Sequence, residues 1–102
     1  MSFWHYGNLP DDENENRLNS PEYAEKMGRC YRLLDEHGFD QIPGTSNWDI
    51  PDNMQGTVRF FKKHCGEEHL LGFLQTVWLA TTPENLPRYE EAIEDMIESQ
   101  KL

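Results

Sequence analysis

Apolar residues recur at helical spacing in three stretches of the chain and crowd together in a fourth. In residues 20–38, Tyr23, Met27, Cys30, Tyr31 and Leu34 fall on one stripe, with Glu25, Arg29, Arg32 and Glu36 on other faces. That pattern predicts an amphipathic helix. Its ends are also marked. Ser20 is a good N-cap and Pro21 suits the first helical position. Gly38 supplies a left-handed residue after the last turn, with Phe39 placed for the apolar contact that accompanies such a cap. His37 complements the negative end of the helix dipole.

A second helix is expected from Asp52, which stands three residues before Gln55 as in a capping box. Met54, Val58, Phe61 and Cys65 form its stripe, and Gly66 ends it. Phe60 lies off that stripe, so it either widens the buried face or is exposed. A third helix is expected to follow at once, with Glu67 and Glu68 at its positive end. Leu70, Leu71, Phe73, Leu74, Val77, Trp78 and Ala80 cover about half its circumference. That breadth predicts the central helix, with Leu74 and Trp78 in mid-core and Gly72 under a closely approaching neighbour. A fourth helix starts near Pro87 and turns Tyr89, Ala92, Ile93, Met96 and Ile97 inward.

Residues 39–51 and 82–87 read as ordered loops, the first with Ile42, Trp48 and Ile50 plugging the core. Near the N-terminus "SFWHY" is expected to dock on the core or on a partner, and "DDENENRLN" to be a solvated loop. The expected fold is therefore all-α: a small three- to four-helix bundle in one domain over residues 1–102. Residues 1–19 form its arm and acidic loop and residues 20–100 its helical core.

Composition narrows the function classes. The 102 residues suit one domain, and three Trp, four Tyr and five Phe suffice for a packed core. Nineteen acids against nine bases give a net charge of −10. Direct nucleic-acid binding is disfavoured, because it needs Lys and Arg to displace counterions from phosphate. The acidity is uneven. Residues 51–83 balance Asp52, Glu67 and Glu68 against Arg59, Lys62 and Lys63. The last helix instead carries Glu90, Glu91, Glu94, Asp95 and Glu98 without an intervening base, and a second acidic group, Asp11, Asp12, Glu13 and Glu15, lies in the N-terminal loop. No apolar run is long enough to span a membrane, and "MSFWHYGNLP" has no basic, apolar leader pattern, so the expected compartment is the cytoplasm.

The chemistry-bearing residues are few. His64, Cys65 and His69 stand close together, but a structural zinc site needs four ligands, and the two histidines are five residues apart across Gly66. The simpler reading makes His64 a helix-end residue, Cys65 core and His69 part of a first turn. Cys30 and Cys65 both fall on core stripes, where a thiol is inert. No glycine-rich phosphate loop is present.

These features point to a non-enzymatic, cofactor-free acidic protein that binds and inhibits a basic, nucleic-acid-handling protein. A toxin's immunity protein and a phage counter-defence (anti-CRISPR-like) inhibitor fit equally, with carboxylates standing where the target expects phosphates. The expected partner surface is Glu90, Glu91, Glu94, Asp95 and Glu98 with Asp11, Asp12, Glu13 and Glu15. The alternatives are a small adaptor or homodimer anchored by Phe60 or the N-terminal aromatics, and a metal protein or enzyme built on His64, Cys65 and His69.

Overall fold

The computed structural model describes residues 2–10 and 20–102; Asp11, Asp12, Glu13 and Glu15 lie outside the described residues. The elements run in the order α1 (Pro21–Glu36), β1 (Gly44–Ser46), α2 (Asn53–His64), β2 (Leu74–Thr76), a single 3₁₀ turn (Pro83–Asn85) and α3 (Leu86–Gln100). β1 and β2 pair in parallel, Gly44 opposite Leu74 and Ser46 opposite Thr76, with α2 as the crossover between them. The fold is a small mixed α/β domain, which overturns the expected all-α bundle.

The segment that breaks the expectation is 67–80. It makes a turn at residues 67–69 and then runs through the Leu70 bridge into β2, where a central helix was expected. An apolar run flanked by glycine does not distinguish helix from strand by periodicity alone. Here Gly72 takes φ +156°, a conformation that strains any residue with a side chain. It sits where the pairing slips by one residue, between the Gln41–Leu70 bridge and the Gly44–Leu74 pair. Beyond it side chains alternate. Phe73 meets Phe61 edge-on at 5.6 Å, whereas Leu74 is exposed. Trp78, expected in mid-core, is 51% exposed. The would-be Cβ of Gly72 has open space around it, so no neighbouring helix approaches there.

α1 forms as its caps dictate. The Ser20 hydroxyl accepts from the Tyr23 amide, and Gly38 (φ +77°) closes the far end with Gly38 N donating to Asp35 O and Phe39 N to Leu34 O. Phe39 itself stays exposed. The buried stripe is Ala24, Gly28 and Tyr31, and Tyr23 faces out. Tyr31, with 0% exposure, centres an aromatic core. Phe3 packs edge-on at 5.2 Å, Phe61 at 4.8 Å and Phe60 at 6.1 Å, with Leu9 alongside.

The N-terminal arm adds an outer edge to the small sheet. Gly44 N donates to Phe3 O, and Trp4 bridges Gly44 in parallel. The Trp4 ring lies where a Gly44 side chain would be, so glycine is needed to seat it. Along 41–48 the chain is buried without a break from Pro43 to Asn47, covered on both sides of β1, while Ile42 and Trp48 at its ends are exposed. Of the three residues expected to plug the core, only Ile50 does so.

Candidate functional site: the outer face of α3

α3 begins at Leu86, where Pro87 fits a first turn, and its rotation about its own axis decides what it presents. It buries Ala92, Asp95 and Ser99, an i, i+3, i+7 stripe of small and polar residues. Asp95 explains this setting. Its Oδ2 accepts from Met54 N at 3.0 Å and its Oδ1 from Gln55 N at 3.2 Å, so it caps the N-terminus of α2 from another helix. The side chains of Gln55 and Gln75 donate to the same carboxylate at 3.0 and 3.2 Å. Asp52, the expected cap, makes no side-chain cap bond. Burial pushes the Asp95 carboxyl above the usual aspartate range, and the four donors oppose that shift. Ser99 returns a hydrogen bond to Asp95 O at 2.7 Å.

The acids expected to share one surface therefore part company. Asp95 is buried and capping. Glu91 accepts from Asn47 Nδ2 at 2.8 Å and lies 3.4 Å from the Arg88 guanidinium. Glu98 holds Lys101 at 2.8 Å. Glu90 and Glu94 are exposed and form no ion pair among the described residues.

Turning Asp95 inward turns apolar residues outward. Leu86, Ile93 and Ile97 are 55%, 54% and 44% exposed, and Met96 is exposed beside them, although Ile93, Met96 and Ile97 were expected to face the core. On a wheel of 100° per residue, Leu86, Ile93 and Ile97 fall within about 40° of one another, opposite the buried stripe. Glu90 and Glu94 border that arc on one side. On its other side Met96 leads into a groove of about 360 Å³ between α2 and α3, lined also by Met54, Val58, Phe73 and Leu102. A second hollow of about 270 Å³ shares Val58, Lys62 and Phe73 with it. Lys62 Nζ donates to Leu102 O across the groove. Sequence reasoning placed the acids on α3 but missed the apolar arc beside them, because Ile93 and Ile97 look like core until Asp95 is known to cap α2.

A second uncovered surface lies over the sheet. Trp78 packs against Trp4 at 6.2 Å and Tyr6 at 6.5 Å, with both indoles more than half exposed. The Tyr6 hydroxyl is buried there without a hydrogen-bond partner.

The remaining candidates are dispersed. The His64 ring packs at a tilt against Phe60 at 4.8 Å, and His69 Nδ1 faces Asp40 at 3.1 Å. Among the described residues no three His, Cys, Asp or Glu side chains come together as a metal site. Cys30 and Cys65 are free thiols, and burial together with the nearby Asp35 pushes the Cys65 thiol up to about 11. At that value it is protonated and a poor nucleophile at neutral pH. His5 is buried with Nε2–H donating to Asn8 O at 2.8 Å, and burial lowers its pKa.

Comparison of the chain with protein-family models, curated proteins and solved structures finds no match. No helix among the described residues is long and apolar enough to cross a membrane.

Proposed function

We propose that this protein is a non-enzymatic inhibitor that binds a basic, nucleic-acid-handling protein and occludes it. The observation that carries the reading is the outer face of α3, where exposed Leu86, Ile93 and Ile97 run beside unpaired Glu90 and Glu94 in a chain of net charge −10. Exposed apolar surface rimmed by charge marks protein-binding sites. A single-signed rim speeds encounter with an oppositely charged partner and selects against others. The carboxylates of Glu90 and Glu94 would stand where the target otherwise receives phosphates. A nuclease toxin's immunity protein and a phage counter-defence protein both match this description, and two free thiols agree with a reducing, cytoplasmic setting. The test is capture on immobilised protein, identification of what is retained, and assay of that protein's nucleic-acid activity with inhibitor added. Loss of activity that recovers as salt rises supports the reading, and retention only of proteins without nucleic-acid activity refutes it.

The Trp4–Trp78 pair favours a second reading, an adaptor that docks through aromatic anchors. In that case Trp78→Ser abolishes capture and Glu90→Lys with Glu94→Lys does not.

A further inference from the structure

We infer that the element this protein captures is a basic amphipathic α-helix, laid along α3 with an apolar anchor in the α2–α3 groove. The inference rests on the protein-binding reading above and specifies what is bound.

The shape of the apolar surface comes first. Leu86 and Ile97 bracket the exposed arc, a straight line of about 16 Å at 1.5 Å per residue. A straight ridge of aliphatic side chains at helical spacing complements a second helix, whose own i, i+3, i+4 and i+7 positions repeat at the same pitch. The groove comes second. Met96 belongs both to the exposed face and to the groove wall, so it joins the ridge to a hollow in which Met54, Val58 and Phe73 are apolar and Lys62 and Gln100 are polar. A ridge beside a hollow suits a helix that rests on the first and sends a large apolar side chain into the second.

Charge selects the occupant. Glu90 and Glu94 stand one turn apart beside the ridge, and like charges at that spacing oppose helix formation unless something offsets them. Lys101 is ion-paired with Glu98 and also feels the Glu94 charge, while Lys62 at the groove wall hydrogen-bonds Leu102 O and keeps its charge there. On the Glu90–Glu94 side of the ridge, away from Lys62, the unmatched sign is negative, and the complement is a helix with Lys or Arg flanking its apolar stripe on that side. A second copy of this chain brings Glu90 and Glu94 again, so self-pairing along α3 sets like charges together.

The experiment titrates this protein into labelled synthetic helices of about 18 residues, long enough to cover α3. One carries a Leu stripe flanked by Lys, one the same stripe flanked by Glu, and one the Lys version broken by a central Pro. Fluorescence anisotropy should show binding of the Lys-flanked helix, at least tenfold weaker binding of the Glu-flanked one, and a similar loss with the Pro-broken one. Ile93→Ser with Ile97→Ser should weaken the Lys-flanked helix at least tenfold while circular dichroism stays unchanged. Glu90→Gln with Glu94→Gln, which keeps shape and removes only charge, should weaken it several-fold and flatten its salt dependence. Equal binding of the Pro-broken peptide would show attraction by charge alone and overturn the inference. So would full binding by the Ile93, Ile97 variant, no binding of the Lys-flanked helix, or a dimer of this chain that the same variant dissociates. If captured proteins are inhibited although no helix binds, this inference fails and the proposed function stands; if the helix binds but no nucleic-acid-handling protein is captured, the proposed function fails alone.

Discussion

The two faces of α2 are held by different physics. At its middle, Phe60 and Phe61 meet Tyr31 and Phe73 in an apolar cluster of edge-on and tilted rings. At its N-terminus the neighbours are polar: Asp95 caps the helix, Asn53 accepts from Ser46 N at 3.0 Å and donates to Gly7 O at 3.1 Å, and Thr57 donates to Asn53 O. The aromatic side tolerates small shifts in geometry, because apolar burial is non-directional. The polar side does not, because each buried donor left without an acceptor costs its full desolvation. The difference explains why α3 keeps an aspartate inward and isoleucines outward. Specific hydrogen bonds, not apolar area, fix its rotation.

Breaking the aromatic side should have the largest effect. Phe61→Ala removes a buried ring touching Tyr31, Phe60 and Phe73, and should cost about 3–5 kcal/mol in urea unfolding. Breaking the polar side should come next. Asp95→Ala uncaps Met54 N and Gln55 N inside the fold, at about 2–3 kcal/mol, and Asp95→Asn should recover part of the loss because one oxygen still accepts. A smaller effect comes from pH. The folded-state pKa of His5 lies below 6.5, so the unfolded chain binds the proton more readily. His5 thus leaves stability intact above pH 6.5 and erodes it as pH falls below that value toward the folded pKa. His5→Gln should flatten the stability–pH curve in that window and leave it unchanged if His5 is not the group responsible. Leu74→Ala should have the smallest effect, under about 1 kcal/mol, since Leu74 faces solvent; a loss of several kcal/mol would restore it to the core.

What was legible in the sequence is local chemistry. Ser20, Pro21 and Gly38 mark the ends of α1 within a turn of where they fall, and Pro87 marks the start of α3. The capping box read into Asp52 and Gln55 had the right helix end and half the right residues, because Gln55 does bond a capping carboxylate, that of Asp95. No local pattern announces a cap that lies forty residues downstream. β2 was hidden for another reason. Leu70, Leu71, Phe73 and Leu74 are apolar whichever period is tried, and Gly72, at φ +156°, takes an angle that no helix contains. The candidate site inherits that limit: its glutamates were visible as charge, while its apolar ridge depends on a long-range hydrogen bond.

The parallel pairing of β1 with β2 bears on how the molecule assembles. Gly44 meets Leu74 only after the whole of α2 has been accommodated between them, so the ladder closes a loop of about thirty residues for three residues of pairing. Such closure yields little until α2 is already packed on Tyr31. On that argument the ladder is expected to form late, so that Thr45 and Thr76, whose hydroxyls donate to Leu74 O and Thr45 O, should act on the escape from the native state more than on its formation. In a chevron plot, Thr76→Val should steepen neither arm but raise the unfolding rate alone, whereas substitutions at Phe61 should slow refolding. α3, the helix proposed to bind, is tied to this ladder where Gln75 donates to Asp95, so a late ladder would set the proposed binding face in the last step of folding.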